Sequence, residues 1–318
     1  MEQQSRLQHF PISWFAVVMG LAGFTIAWHR AETVFSMPLH ISPWLLGLTV
    51  AVFVVLALLY TGKLLRYGKA VRAEFAHPIK LNFFPTTSIG LILLSIALLP
   101  YSMDVSFILW SVGAALHLLF TLYVLSVWIH HTHFEIHHMN PAWFIPIVGN
   151  ILVPIAGVRH VSPEISWFFF SIGLLFWLVL LTIIVYRMVF HNPLPEKLLP
   201  TLFILIAPPA VGFISWLQLN GSVDAFARIL YYGAIFLTLM LLTQARRFLR
   251  LKFFLSWWAY SFPMAAMTIA TVLMYQQLLL PFFKGLAMVL LGLLTLIIIT
   301  LLFKTIQAMA RKEICVEE

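Results

Sequence analysis

Residues 283–303 read FKGLAMVLLGLLTLIIITLLF and carry a single charge, Lys284, at the edge of the run. An α-helix rises about 1.5 Å per residue, so this stretch is about 30 Å long, the depth of a bilayer's hydrocarbon core. It has no polar stripe, unlike the amphipathic helices of soluble domains. Nine similar runs precede it, near Ile12–Trp28, Trp44–Thr61, Phe83–Leu99, Phe107–Ile129, Trp143–Val158, Ile165–Tyr186, Leu199–Leu217, Ile229–Gln244 and Phe253–Tyr275. The whole chain agrees: 318 residues, 62% hydrophobic, 9% charged, mean hydropathy +0.98. Soluble domains carry about 25% charged residues. These proportions exclude a cytosolic enzyme and a disordered regulator. The expected fold is an all-α integral membrane protein of ten transmembrane helices. Residues 1–318 are expected to form one transmembrane channel or transporter domain with short tails, and the first run is expected to be retained, not cleaved as a signal peptide.

The net charge of +8 is a topology signal. The amino end, the even-numbered loops and the carboxyl tail hold 15 of the 19 Lys and Arg residues; the odd-numbered loops hold only Arg30, Arg159, Arg228 and Lys284. Basic loops stay in the cytoplasm. Both termini are therefore expected there, in an inner-membrane, multi-pass protein whose surroundings are lipid. No nucleic-acid partner is expected.

Prolines obey a second rule. Pro85, Pro146, Pro154, Pro208, Pro209 and Pro263 fall in odd-numbered runs, with Pro11 at the start of the first. In even runs proline stands only at the entrance, at Pro43, Pro163 and Pro281. Proline removes a backbone donor and kinks a helix, and in lipid the freed groups must be satisfied by protein or water. Five hairpins are expected, each with a kinked odd member facing an interior and a straight even member outside.

The chemistry available is sparse. The eleven Asp and Glu residues read as loop or tail positions, and no Lys or Arg stands mid-run. Coupled transporters usually keep an intramembrane charge, so a passive conduit is the default and no enzyme activity is expected. Histidine is the exception. His130, His131, His133, His137 and His138 cluster, and His133-x-x-x-His137-His138 resembles one histidine box of membrane di-iron desaturases. Such a site needs several boxes, so the cluster reads as a polar loop, with a membrane metalloenzyme as a distant alternative. No metal and no cofactor are expected. His117 and Asn150, mid-run, read as groups that bond neighbouring helices. Cys315, the single cysteine, permits no intrachain disulfide.

A lining without charge can still offer hydroxyls, backbone N–H groups at broken helices and the positive edges of aromatic rings. Candidate polar lining residues are Thr86, Thr87, Ser88, Asn150, Thr268 and Thr271, with Gly20, Pro85, Pro146, Gly149, Pro208 and Pro263 as candidate kinks and lining. Such a field favours anions that shed water readily. A basic rim of Arg246, Arg247, Arg250 and Lys252 would concentrate them.

Several motifs stand in order along the chain. They are Phe10-Pro11 with Gly20-Leu21-Ala22-Gly23, Val71-Arg72-Ala73-Glu74-Phe75 with His77-Pro78, and Asn140-Pro141-Ala142-Trp143-Phe144-Ile145-Pro146 leading to Gly149-Asn150. Ile206-Ala207-Pro208-Pro209, Ala227-Arg228-Ile229-Leu230 and Trp257-Trp258-Ala259-Tyr260-Ser261-Phe262-Pro263 follow. From about residue 10 to about 303 the chain resembles the tellurite-resistance/dicarboxylate transporter family, whose members include TehA-like proteins and plant slow-type anion channels. The resemblance implies a central pore lined by the odd helices, a homotrimer with one pore per subunit, and a pore-plugging phenylalanine, here Phe262. It implies transport of small anions and four-carbon dicarboxylates, with proton-linked malate-type uptake or tellurite- and sulfite-type oxyanion efflux as alternatives. TehA-like members often carry glycine after the phenylalanine; Pro263 stands here, as in the plant channels. The plant channels' long regulatory tails are expected to be absent.

Overall fold

The computed structural model describes residues 6–132 and 134–315. His133, Glu2, Glu317 and Glu318 lie outside the described residues. Ten helical spans follow one another, and no strand occurs among the described residues. They are α1 (Ile12–Phe35), α2 (Ser42–Arg66), α3 (Lys80–Leu98), α4 (Met103–His130), α5 (Pro141–His160), α6 (Pro163–Phe190), α7 (Glu196–Asn220) and α8 (Ala225–Leu242). A 3₁₀ segment at Leu255–Tyr260 runs into the α-helix Ser261–Leu278 to make α9, and α10 is Pro281–Ala310. Among the described residues, nine of these are long and apolar enough by themselves to cross a bilayer. The exception is α9, whose last turn is Tyr275-Gln276-Gln277-Leu278 and which is covered by protein along most of its length. Buried inside other helices, it has no need of a lipid-facing surface.

The proline rule becomes backbone geometry. Every odd span contains 3₁₀ turns: Ile12–Trp14, Lys80–Phe83, Pro141–Phe144, Gly149–Leu152, Glu196–Ile206 and Leu255–Tyr260. The tighter i→i+3 pattern recovers backbone bonds where a proline has removed the i→i+4 donor. The even spans are unbroken α-helix. Pro43, Pro163 and Pro281 occupy first-turn positions of α2, α6 and α10, where no donor is lost.

Each odd helix pairs with the even helix that follows it. The odd helices also touch one another in sequence: α1 with α3, α3 with α5, α5 with α7, α7 with α9, and α9 with α1. The ring closes. Burial separates the layers: the apolar windows of α1, α3, α5 and α7 are 78–89% buried, those of α2, α4, α6, α8 and α10 only 17–33%. The outer layer exposes Leu58, Leu119, Leu122, Leu175, Phe236 and Leu296, a surface suited to lipid tails. Small residues let the inner helices approach. At Gly20 a Cβ would lie 2.9 Å from the Trp258 ring and 2.8 Å from Ser261 Cβ, so only glycine permits this α1–α9 distance.

The helices run past the apolar runs at several ends, which corrects the reading that every carboxylate lies in a loop or tail. Glu32 falls within α1 and is buried. It accepts from the Ile41 N–H (2.5 Å), the Ser42 N–H (3.2 Å) and the Ser42 hydroxyl (2.5 Å), fixing the turn into α2. Glu74, on the short helix Gly68–Ala76, is buried as well.

Candidate functional site: a cavity at the centre of the helix ring

A cavity of about 70 Å³ lies inside the ring, and all five odd helices contribute to it. Met19 comes from α1, Thr86 and Ile89 from α3, Val148, Gly149 and Leu152 from α5, Pro208 and Val211 from α7, and Phe262 and Pro263 from α9. Most of these residues lie in the amino-terminal halves of their helices, with Leu152 and Val211 just past the midpoint. The cavity therefore sits toward the face that carries the basic loops, with the positive ends of five helix dipoles around it.

The lining contains no Asp, Glu, Lys, Arg or His. Thr86 supplies a hydroxyl that is already donated to the Phe83 carbonyl at 2.5 Å. What remains is aliphatic carbon, backbone and aromatic rings. The volume has space for only a few waters, too little for a hydrated ion column. Phe262 stands at the α-helical start of α9 and is 8% exposed, with that exposure facing the cavity. A Cβ at Gly23 would lie 3.2 Å from Phe262 Cδ2, so α1 sets the resting position of the phenyl ring. Trp258 supports the same wall, its indole N–H donating to the Thr305 hydroxyl at 3.0 Å on α10.

The other candidate lining residues lie around the cavity, not on it. Thr87 donates to the Phe84 carbonyl at 2.8 Å, and Ser88 to the Pro85 carbonyl at 2.8 Å. Thr268 donates to the Met264 carbonyl at 2.8 Å and Thr271 to the Met267 carbonyl at 2.9 Å, with the Tyr231 hydroxyl 3.1 Å from Thr271. Gly20 is consumed by the α1–α9 contact, and Pro85 is the residue before α3 turns α-helical. The Pro146 carbonyl accepts from Thr121 at 2.7 Å.

His117 and Asn150 belong to one buried cluster behind the α5 wall. Ser88 Oγ is 2.9 Å from His117 Nδ1; the Asn150 amide donates to Thr121 Oγ1 at 2.9 Å and to the Ile147 carbonyl at 2.7 Å. His117 Nε2 and Asn150 Oδ1 have no hydrogen-bond partner among the described residues. Gly149 separates the cluster from the cavity, and a Cβ there would lie 2.5 Å from the His117 ring.

Arg246, Arg247, Arg250 and Lys252 are exposed in the loop between α8 and α9, around the short helix Ala245–Leu249. In the histidine cluster, His130 Nδ1 meets the Ser126 carbonyl at 2.8 Å, His137 Nδ1 lies 3.2 Å from Glu135, and the Glu135 N–H donates to His138 at 3.1 Å. No group of three or more His, Cys, Asp or Glu residues suited to a metal occurs among the described residues.

Two features escaped the sequence reading. The aliphatic lining residues Met19, Ile89, Leu152 and Val211 carry no signal that separates them from lipid-facing ones. Lys63 and Glu74 form a buried pair at 2.7 Å, with Lys63 also donating to the Phe10 carbonyl at 2.8 Å and Glu74 accepting from Ile12 N–H at 2.7 Å and Tyr60 OH at 3.0 Å. Its trace in the sequence is a lysine at the very end of an apolar run with an acid eleven residues on.

Sequence comparisons place the chain in a family. The family profile described as voltage-dependent anion channel matches residues 9–306. The chain belongs to that family. Among relatives of this anion-channel family, the S-type anion channel SLAH3 of Arabidopsis thaliana is 30% identical over 307 residues, covering 94% of this chain and 48% of the plant protein. The uncharacterized transporter MJ0762 of Methanocaldococcus jannaschii is 28% identical, covering 86% of this chain and 87% of its own. The tellurite resistance protein TehA homolog of Haemophilus influenzae is 27% identical, covering 84% and 81%. The chain spans about half the length of the SLAH3 channel it matches.

Proposed function

We propose that this protein is a passive anion channel or facilitator, moving small monovalent anions across the inner membrane through the centre of the odd-helix ring, with Phe262 as its gate. Four-carbon dicarboxylates are further substrates in this reading, both termini are cytoplasmic, residues 1–318 act as one channel domain, and the protein assembles as a homotrimer with one conduit per subunit. The observation that carries it is the uncharged cavity to which all five odd helices contribute, with Phe262 in its wall beside the rings of Phe83, Phe144 and Trp258. A bare ion in hydrocarbon faces a desolvation cost on the order of tens of kcal/mol. Here the compensation comes from five helix amino-termini and from the basic loop Arg246–Lys252 at the same face. Both favour anions. A constriction this dry blocks ions by bulk and by excluding water.

Gly149, Pro208 and Pro263 then act as lining, and Gly20, Pro85, Pro146, Asn150 and Thr268 shape the walls from behind. A proton-linked carrier needs a titratable group on the path, and the central lining contains none. The Haemophilus relative's name makes oxyanion efflux the reading to test alongside. The experiment is anion efflux from proteoliposomes loaded with chloride, nitrate or malate, with and without a pH gradient. Efflux set by the anion gradient alone is expected. Malate movement that follows the pH gradient, with no chloride or nitrate flux, would replace the channel with a coupled carrier.

A further inference from the structure

A second and larger cavity, about 290 Å³, lies near the opposite ends of α1, α3 and α5. Ile26, Ile96 and Ile155 line it, each farther along its helix than the residues lining the central cavity. The starts of α2 and α4 complete its walls, through Ser42 and Met103. It is thus an outer chamber on the α1–α3–α5 side of the ring.

Its chemistry differs from that of the central cavity. Arg30 and Arg159 both line it, together with His29 and Tyr101. Arg30 is half-buried and Arg159 exposed, and each lies within Coulombic reach of the other. Neither makes a salt bridge or hydrogen bond among the described residues. Two of only four basic residues assigned to this face of the protein therefore share one pocket, although like charges repel. The acid nearest in sequence, Glu32, is taken: its oxygens accept from Ile41 and Ser42 backbone N–H groups and from the Ser42 hydroxyl. Contrast Lys63, whose ammonium is matched by Glu74 and a carbonyl. Two guanidinium groups that share one pocket without a protein counterion among the described residues offer a site for an anion. Guanidinium groups present paired N–H donors that match two oxygens of one ligand better than they match a spherical halide.

We propose that Arg30 and Arg159 form an oxyanion-binding site in this outer chamber. The site stands on its own geometry; its role as the place where anions load from that face rests on the conduit reading. A chamber of this size holds a small oxyanion with part of its water shell, since water occupies about 30 Å³ per molecule in the liquid. Phosphate groups of lipids share this chemistry, but most of the chamber's wall comes from the inner helices α1, α3 and α5, which favours a free anion as its ligand.

The test is calorimetric titration of the detergent-solubilised full chain with sodium sulfate and with sodium chloride at fixed ionic strength. Sulfate is expected to bind one site and chloride to bind more weakly. Arg159→Gln should weaken sulfate about tenfold, the loss of one charge-assisted contact. Arg30→Lys should keep halide binding and lose the preference for sulfate, and Arg228→Gln, on the same face, should change nothing. Because Arg159 is exposed, its variant is expected to fold normally, with an unchanged melting profile as the check. Equal sulfate binding by wild type and Arg159→Gln, or no binding by either, overturns the proposal. Displacement of sulfate by short-chain phosphatidylglycerol but not by nitrate would assign the arginines to a lipid headgroup and overturn it too. Arg159-dependent sulfate binding in a protein that passes no anion would keep the site and remove the conduit.

Discussion

Gly149 shows how little room the wall behind the central cavity leaves. One side of it lines the cavity, and on the other a Cβ would meet the His117 ring at 2.5 Å and Ile89 Cδ1 at 2.8 Å. Forcing a methyl into a packed site usually costs about 1–3 kcal/mol. Gly149→Ala is therefore expected to lower the melting temperature in detergent, and Gly149→Ala with His117→Ala to recover part of the loss. An unchanged melting temperature for the single variant would contradict this packing. At the carboxyl end, burial pushes the Cys315 thiol above its ordinary range. Less thiolate is present near neutral pH, so maleimide labelling should lag behind a free cysteine at pH 7.5 and speed up as the pH is raised. Labelling as fast as free cysteine would show that the thiol is solvated. His117 and Asn150 were legible in the sequence as buried polar groups seeking partners on other helices; that Gly149 divides them from the cavity was not, because it depends on how α4 and α5 meet.

The elements record where sequence periodicity was informative and where it ended. Proline positions distinguished odd from even helices, since the missing N–H has a local consequence, the 3₁₀ segments of the odd helices. Apolar runs located the spans but not their ends, because α1 and α2 continue through charged residues that the fold pairs: Glu32 with Ser42, and Lys63 with Glu74. The second pair ties the start of α1 to the end of α2 and to the short helix after it. Breaking a buried pair from one side costs about 3–5 kcal/mol, since the other charge stays buried. Lys63→Met is expected to reduce folded yield and thermal stability sharply, with Lys63→Met/Glu74→Gln closer to wild type. If the double variant is no better than the single one in size-exclusion thermostability, the pair is not acting as a unit.

At the scale of the molecule, charge is separated by depth. The ring interior near Phe262 is neutral, and the basic loops lie beyond the amino-terminal ends of the odd helices. Exposed charges act over about 10 Å at 0.1 M salt and over about 3 Å at 1 M. Neutralising Arg246, Arg247 and Arg250 to Gln should reduce anion conductance at low salt and leave it unchanged at 1 M. A reduction that persists at 1 M would place these residues in the path itself. The hairpin order was within reach of the sequence through its prolines, and the central ring through the family resemblance, while the identity of the aliphatic lining was not. Met19 and Leu152 face the cavity and Leu119 and Leu122 face outward, yet nothing in their chemistry separates them.

The most direct test is the current through planar bilayers containing wild type and Phe262→Ala, in asymmetric sodium chloride. Removing the phenyl ring is expected to open the constriction and raise the current well above wild type, reversing near the chloride equilibrium potential. Well-folded Phe262→Ala protein with current no greater than wild type, or current reversing at the sodium potential, would contradict the account.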